Sequence, residues 1–197
     1  MPISLKTAIK SSYGDKKSKQ KILAEGYVKD KKLSNANQKI FYNKDTGNLL
    51  FNVAGSRTAK DFLYNDTMLA FGGLKKTDRY KQADRTLKQA KQIYQPTSTT
   101  VTGHSLGASI GANIASKKDK FLGFNPGITI AQPIRSKKGQ QQVYRTEGDL
   151  VSVLGANAKN IKTLDAPKTT LTDIIGGPLV TAYRSHLDYN KVKDIYV

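Results

Sequence analysis

Val101-Thr102-Gly103-His104-Ser105-Leu106-Gly107-Ala108 decides how the chain is read. A β-rich lead-in, Thr99 to Thr102, enters it, and a small-residue helical pattern, Leu106 to Ala115, leaves it. Gly103, Ser105 and Gly107 fill a Gly-x-Ser-x-Gly pattern. Its context of strand, sharp turn and helix is that of a nucleophile elbow. Such a turn strains the serine backbone and exposes its hydroxyl. The two glycines leave room for strand and helix to pass closely. The helix that follows would aim its unpaired N–H groups at a developing oxyanion. Five residues alone are not specific, and the rest of the chain must supply the context.

A serine hydroxyl needs a base, and the base needs an orienting carboxylate. The chain has two histidines. His104 stands beside Ser105 inside the elbow, so its side chain should point away from the nucleophile. His186, in a loop-like stretch near the C-terminus, remains as the base. The acid is expected between Ser105 and His186 in the order serine, acid, histidine. That window holds Asp119, Glu147, Asp149, Asp165 and Asp173. Asp119 comes too early, in a lysine-rich turn directly after the elbow helix. Asp165 and Asp173 lie in weakly patterned segments. Asp149 sits just past a predicted strand, where site residues gather; that position, together with the family resemblance given below, puts it ahead of Glu147, with Asp165 third. One oxyanion donor is expected from the Leu106 N–H. A second is expected from an earlier strand end, which Gly55-Ser56 fits, although Ser56 reads equally as a helix cap.

Regular structure is expected to begin after residues 1–38, which read as a lysine-rich arm. This arm packs only in places, through Leu5, Ile9, Ile22, Leu23 and Tyr27, and Ser11 to Lys17 reads as loop. Lys39-Ile40-Phe41-Tyr42 and Leu49 to Ala54, separated by turn residues, predict a hairpin. A helix pattern runs from Lys60 to about Ala70. Tyr80, Ala83, Leu87, Ala90 and Tyr94 recur at spacings of three and four, which predicts an amphipathic helix against a sheet, ended by Pro96. Short strands follow at Phe121 to Phe124 and Gln141 to Thr146, then at Lys159 to Leu164 and Lys193 to Val197. Alternating strands and helices argue for an α/β domain over 39–197 with a largely parallel sheet.

Composition bounds the chemistry. The 197 residues suffice for one domain with a substantial core. There is no Cys, which excludes disulfides and thiolate–metal chemistry, and two histidines are too few for a histidine-rich metal site. No metal or organic cofactor is expected. No run approaches 18 apolar residues, and Met1 to Lys21 lacks the apolar core of a signal peptide, so an intracellular or virion-associated place is expected. Lys and Arg number 33 against 15 acids, a net charge of +18. Such a field attracts anionic lipid surfaces or nucleic acid, although no nucleic-acid motif is present.

These segments together resemble the class 3 lipases, the fungal-type lipases of the α/β-hydrolase fold, over roughly Ile40 to Asn190. The elbow matches almost residue for residue. Val53-Ala54-Gly55-Ser56, followed by Asp61-Phe62-Leu63 and Asp66, is similar to the family's oxyanion strand and next helix, and points to Ser56 as lining the oxyanion hole. Phe124-Asn125-Pro126-Gly127 matches its strand-end Asn-Pro. Val143 to Val151 resembles its acid loop, with Asp149 at the catalytic aspartate, and Ser185-His186-Leu187-Asp188-Tyr189 its histidine segment. The resemblance implies a single-domain serine hydrolase of lipid acyl esters with a Ser105–Asp149–His186 triad. The departures are specific. Val53 and Ala54 replace the family's usual aromatic and arginine. The lid segment shrinks to Phe71–Arg79, a short or absent lid. A more open site for phospholipid, monoacylglycerol or a soluble ester follows. Peptidase or thioesterase chemistry would use the same groups. The rival reading is a non-catalytic basic module on this scaffold, binding nucleic acid or packing inside a viral particle. It draws on a resemblance to small basic lipase-like proteins of large DNA viruses.

Overall fold

Period-two alternation along the strands sorts the core onto two faces of one sheet. The structure, a computed structural model, describes residues 2–56, 73–127, 141–147, 161–165 and 186–197. The strands are β1 (Tyr27–Lys29), β2 (Gln38–Asn43), β3 (Asn48–Val53), β4 (Ser98–His104), β5 (Lys120–Phe124), β6 (Gln141–Thr146) and β7 (Ile161–Leu164). They lie side by side in chain order. β1, β2 and β3 pair antiparallel, and β3 through β7 pair parallel. The predicted hairpin and the largely parallel α/β sheet are both present. Described residues include no helix long and apolar enough to cross a membrane.

One face carries Leu49, Phe51, Val53, Val101, Phe121 and Val143. Helices α3 (Asp78–Tyr94) and α4 (Leu106–Ile114) cover it. α3 is the amphipathic helix expected from its spacing. Thr77 caps its start by accepting from the Tyr80 N–H, and Gln95, in a left-handed conformation at φ 42°, ends it before Pro96. Its buried stripe is Ala83, Thr86, Leu87 and Ala90. α4 is buried along most of its length, as its Gly and Ala content allows.

The other face carries Phe41, Leu50, Leu122 and Phe124. Two helices from the N-terminal segment cover it, α1 (Leu5–Ser12) and α2 (Lys16–Ala24). Here the loop reading of Ser11 to Lys17 is corrected. Ser11 and Ser12 end α1, and their hydroxyls donate back to the Ala8 and Ile9 carbonyls at 2.7 and 2.6 Å. Asp15 caps α2 by accepting from the Ser18 N–H at 2.7 Å. Leu5, Ile9 and Ile22 are fully buried, while Leu23 is 38% exposed. Ser11 also accepts from Asn52 Nδ2 at 2.9 Å, and Asn52 Oδ1 accepts from Thr102 Oγ1 at 2.8 Å. A buried polar line thus joins α1 to β3 and β4.

The expected closing strand, Lys193 to Val197, is also corrected. A 3-10 turn, Tyr189–Val192, is followed by a single antiparallel bridge of Tyr196 to Ser4. Leu5 N–H donates to Ile195 O at 2.6 Å and Val197 N–H to Ile3 O at 2.9 Å. Only one rung on each side forms, too few for a strand. The helix pattern at Lys60 to Ala70 and the two residues that open the short lid segment lie outside the described residues. The described remainder of that segment is a 3-10 turn, Leu74–Lys76, leading into α3.

Candidate active site

Ser105 sits at the turn from β4 into α4 with φ 54° and ψ −129°, a region that a serine occupies only when its surroundings enforce it. The enforcing contacts are visible. Its N–H extends the β4–β5 ladder to Phe124 O at 3.1 Å, and its carbonyl takes the N–H groups of Ala108 and Ser109. Its hydroxyl makes no cap bond to the helix. A Cβ at Gly107 would stand 2.6 Å from Ala54 O, and one at Gly103 2.6 Å from Ala108 N. The elbow therefore fits only with both glycines. Leu106 opens α4, where no intrahelical acceptor serves its N–H.

The end of β3 lies directly against this turn. A Cβ on Gly55 would be 2.9 Å from Ser105 Cβ. Arg79, at the start of α3, donates to Ala54 O at 2.7 Å and Gly55 O at 3.1 Å and pins the strand end. A guanidinium thus reaches this stretch from another element, although Val53 and Ala54 stand at the family's aromatic and arginine positions. The Gly55 N–H is taken by Tyr13 Oη at 2.9 Å. Ser56 Oγ is buried with no hydrogen-bond partner among the described residues, and the helix it was expected to cap lies outside them.

His186 is helical and buried. Its carbonyl oxygen lies 2.9 Å from His104 Nε2 and accepts from Asn125 Nδ2 at 3.0 Å. The two imidazole rings are 4.7 Å apart between centroids. Strand alternation sends His104 to the α1 face, where its ring meets Tyr13. Burial first, then repulsion from His186, hold His104 well below the ordinary histidine pKa. Asn125, at φ 42°, also accepts from the Thr146 N–H at 2.7 Å, tying the ends of β5 and β6 together.

At the carboxyl ends of the central strands the Gly55 strand end thus lies against Ser105, and His186 lies against His104, the residue before it. Asp149 and Asp173 lie outside the described residues. Glu147 and Asp165 are exposed. Asp119 is 4% exposed at the opposite, amino end of β5, where both its oxygens accept from Lys91 Nζ at 2.7 Å. Among the described residues no His, Cys, Asp and Glu cluster could hold a metal ion.

Residues 33–134, just over half of the chain, match the family model described as Lipase (class 3). The chain belongs to the class 3 lipase family. Among solved structures, a mutant form of MDLA from Penicillium cyclopium aligns over 97% of this class 3 lipase and 93% of its own chain. Its TM-score is 0.55 and its identity 14%, a likeness of fold that supports the α/β-hydrolase architecture. A fungal lipase aligns over 85% of this chain and 78% of its own, at 15% identity and TM-score 0.48. A mono- and diacylglycerol lipase from Aspergillus oryzae aligns over 99% and 92%, at 16% identity and TM-score 0.46. No curated protein matches the sequence.

Sequence reasoning missed two residues of this lipase's candidate site and the bonds of a third. Tyr13 and Arg79 arrive from helices far from the elbow in sequence, and nothing local marks them. Asn125 was visible in its Asn-Pro motif, but its bonds to Thr146 and His186 depend on long-range packing.

Proposed function

We propose that this class 3 lipase is a serine carboxylic-ester hydrolase of lipid acyl esters, with Ser105 as nucleophile, His186 as base and Asp149 as orienting acid. The observation that carries the reading is the buried imidazole of His186 packed at 4.7 Å against that of His104, the residue next to the strained Ser105. A chain with two histidines has one candidate base, and its ring packs on the residue that precedes Ser105. Asp149 is supported by its place after β6 and by the state of its rivals, since Glu147 and Asp165 face solvent and Asp119 is engaged elsewhere.

In the first half-reaction Ser105 Oγ attacks the acyl carbonyl while His186 takes its proton. The oxyanion is held by the Leu106 N–H and by Ser56, whose buried, unpartnered hydroxyl lies on the strand end beside Ser105. Collapse expels the alcohol with the proton from His186. Water activated by the same histidine then cleaves the acyl-enzyme. With so short a lid segment, phospholipid, monoacylglycerol or a soluble ester fits better than triacylglycerol, and the net charge of +18 favours docking on anionic lipid.

Ser105→Ala is expected to lower kcat on a short-chain chromogenic ester by at least about 10⁴-fold and to abolish fluorophosphonate labelling. Equal labelling of the variant would sink the assignment. A panel of phospholipid, glyceride and thioester substrates then ranks the acyl leaving groups.

A further inference from the structure

The carbonyl oxygen of His186 can only accept a hydrogen bond, and this fixes the polarity of everything attached to it. His104 Nε2, 2.9 Å away, must carry a hydrogen. His104 is completely buried, packed among the rings of Tyr13, Phe124, His186 and Tyr189, an environment that favours the neutral imidazole. A neutral ring with its hydrogen on Nε2 presents a lone pair at Nδ1. Tyr13 Oη stands 2.8 Å from that nitrogen and therefore donates to it, with Tyr189 Oη further out at 3.5 Å. Tyr13 Oη accepts in turn from the Gly55 N–H at 2.9 Å. The chain of donors runs one way from Gly55 through Tyr13 to His104 and on to the backbone of His186.

We propose that Tyr13 and His104 are positioning residues: they form a buried strut that fixes the backbone of the proposed base His186 relative to the proposed oxyanion strand end at Gly55-Ser56. The proposal rests on the reading of Ser105 and His186 as the catalytic pair. Its physical content is that one hydrogen-bonded line sets the distance between two parts of the site carried on different elements. Ser105 lies between them, joined to His104 by a peptide bond. The strut passes through α1, so the N-terminal helix pair helps build the site. A displacement of about 1 Å at a reacting group can lower turnover on the order of a hundredfold. The loss should therefore appear in turnover and leave substrate binding nearly intact.

Nitrogen-15 spectra of histidine-labelled protein test this directly, because the chain has only two imidazoles. His104→Gln removes one set of signals and so assigns it. In the unaltered protein at neutral pH, His104 is expected as the neutral Nε2–H tautomer. Tyr13→Phe removes the donor to Nδ1 and should shift the Nδ1 resonance towards that of an unbonded nitrogen, while the Nε2 hydrogen stays, held by the His186 carbonyl. The same variant should lower kcat on a soluble chromogenic ester by about tenfold to a hundredfold, with KM changed less than about twofold. His104→Gln keeps an N–H donor near the Nε2 position and should retain clearly more kcat than His104→Leu.

An Nδ1–H tautomer of His104 in the unaltered protein overturns the strut, and Nδ1–H at both imidazoles does so before any variant is made. Unchanged kcat in a folded Tyr13→Phe, or equal kcat in the Gln and Leu variants, also overturns it. If the unaltered protein neither hydrolyses the ester nor takes up fluorophosphonate, the catalytic reading fails instead. The tautomer and the response of Nδ1 to Tyr13→Phe still decide the strut.

Discussion

The two faces of the sheet are covered by different chemistry. On the α3 and α4 face, Leu87, Ala90, Ala108 and Ile110 meet Phe51, Val101 and Phe121, and contact is almost wholly apolar. On the α1 and α2 face, Leu5, Ile9 and Ile22 seal the margins. Its centre is crossed by the buried bonds of Ser11 to Asn52 and Thr102, and of Tyr13 to His104. Apolar cover tolerates small shifts, because dispersion is non-directional. Directed hydrogen bonds in a buried setting do not, since each unmet group keeps its desolvation penalty. The polar face is the one behind His186, so the geometry-setting bonds lie where the proposed site would need fixed geometry.

The comparison can be broken with one truncation on each side. Phe121→Ala on the first face is expected to cost about 3–5 kcal/mol, and Ile9→Ala on the second about 2–4 kcal/mol, read from urea unfolding midpoints. A loosely held N-terminal arm would give less than about 1 kcal/mol for Ile9→Ala, and that value would remove α1 from the core. Smaller but more diagnostic is Asn52→Ala, expected to cost about 2 kcal/mol because it orphans Thr102. Replacing the pair together, Asn52→Leu with Thr102→Val, should recover part of that loss. No recovery would mean that the line matters by shape alone.

The smallest effect belongs to a polar tie at the margin of the apolar side. Tyr94 stacks on Tyr42 with ring centroids 4.5 Å apart and donates to Asp30 Oδ2 at 2.8 Å. Burial, then that hydrogen bond to the carboxylate, push its phenol up to about 12. The folded chain thus holds this proton more tightly than the unfolded chain. Its contribution is whole below about pH 10 and is lost as pH rises towards 12. Tyr94→Phe should therefore be slightly less stable at neutral pH, and its deficit should shrink across that alkaline window. A constant deficit would show that the stacking, and not the proton, accounts for it.

How much of this was legible in the sequence follows the same division. The α3 stripe, the β2–β3 hairpin and the elbow were readable, because each is written in local spacing and the core on that side asks only for apolar groups at the right period. α1 was not. Ser11 and Ser12 carry loop-forming side chains, and Ser11 is held by Asn52, some forty positions away in the chain. The closing strand was over-read because Ile195 and Val197 are β-rich, yet their partner is a single turn of chain near Ser4. In the candidate site, Ser105 and His186 were picked out by motif and elimination. Tyr13 was not, since a lone tyrosine beside Gly14 carries no local signal for a partner at His104.

The bridge of Ser4 to Tyr196 ties together residues separated by nearly the whole sequence, and this bears on the order of events in folding. Closing so wide a loop is entropically late, while the β2–β3 hairpin and the β3–α3–β4–α4–β5 run can assemble from near neighbours. The seam should thus form last and open first, and amide exchange at Leu5 and Val197 should outpace that at Phe51 and Val101. The polar face is completed by that final closure, so the corner holding His186 is finished only when the rest of the molecule is already in place.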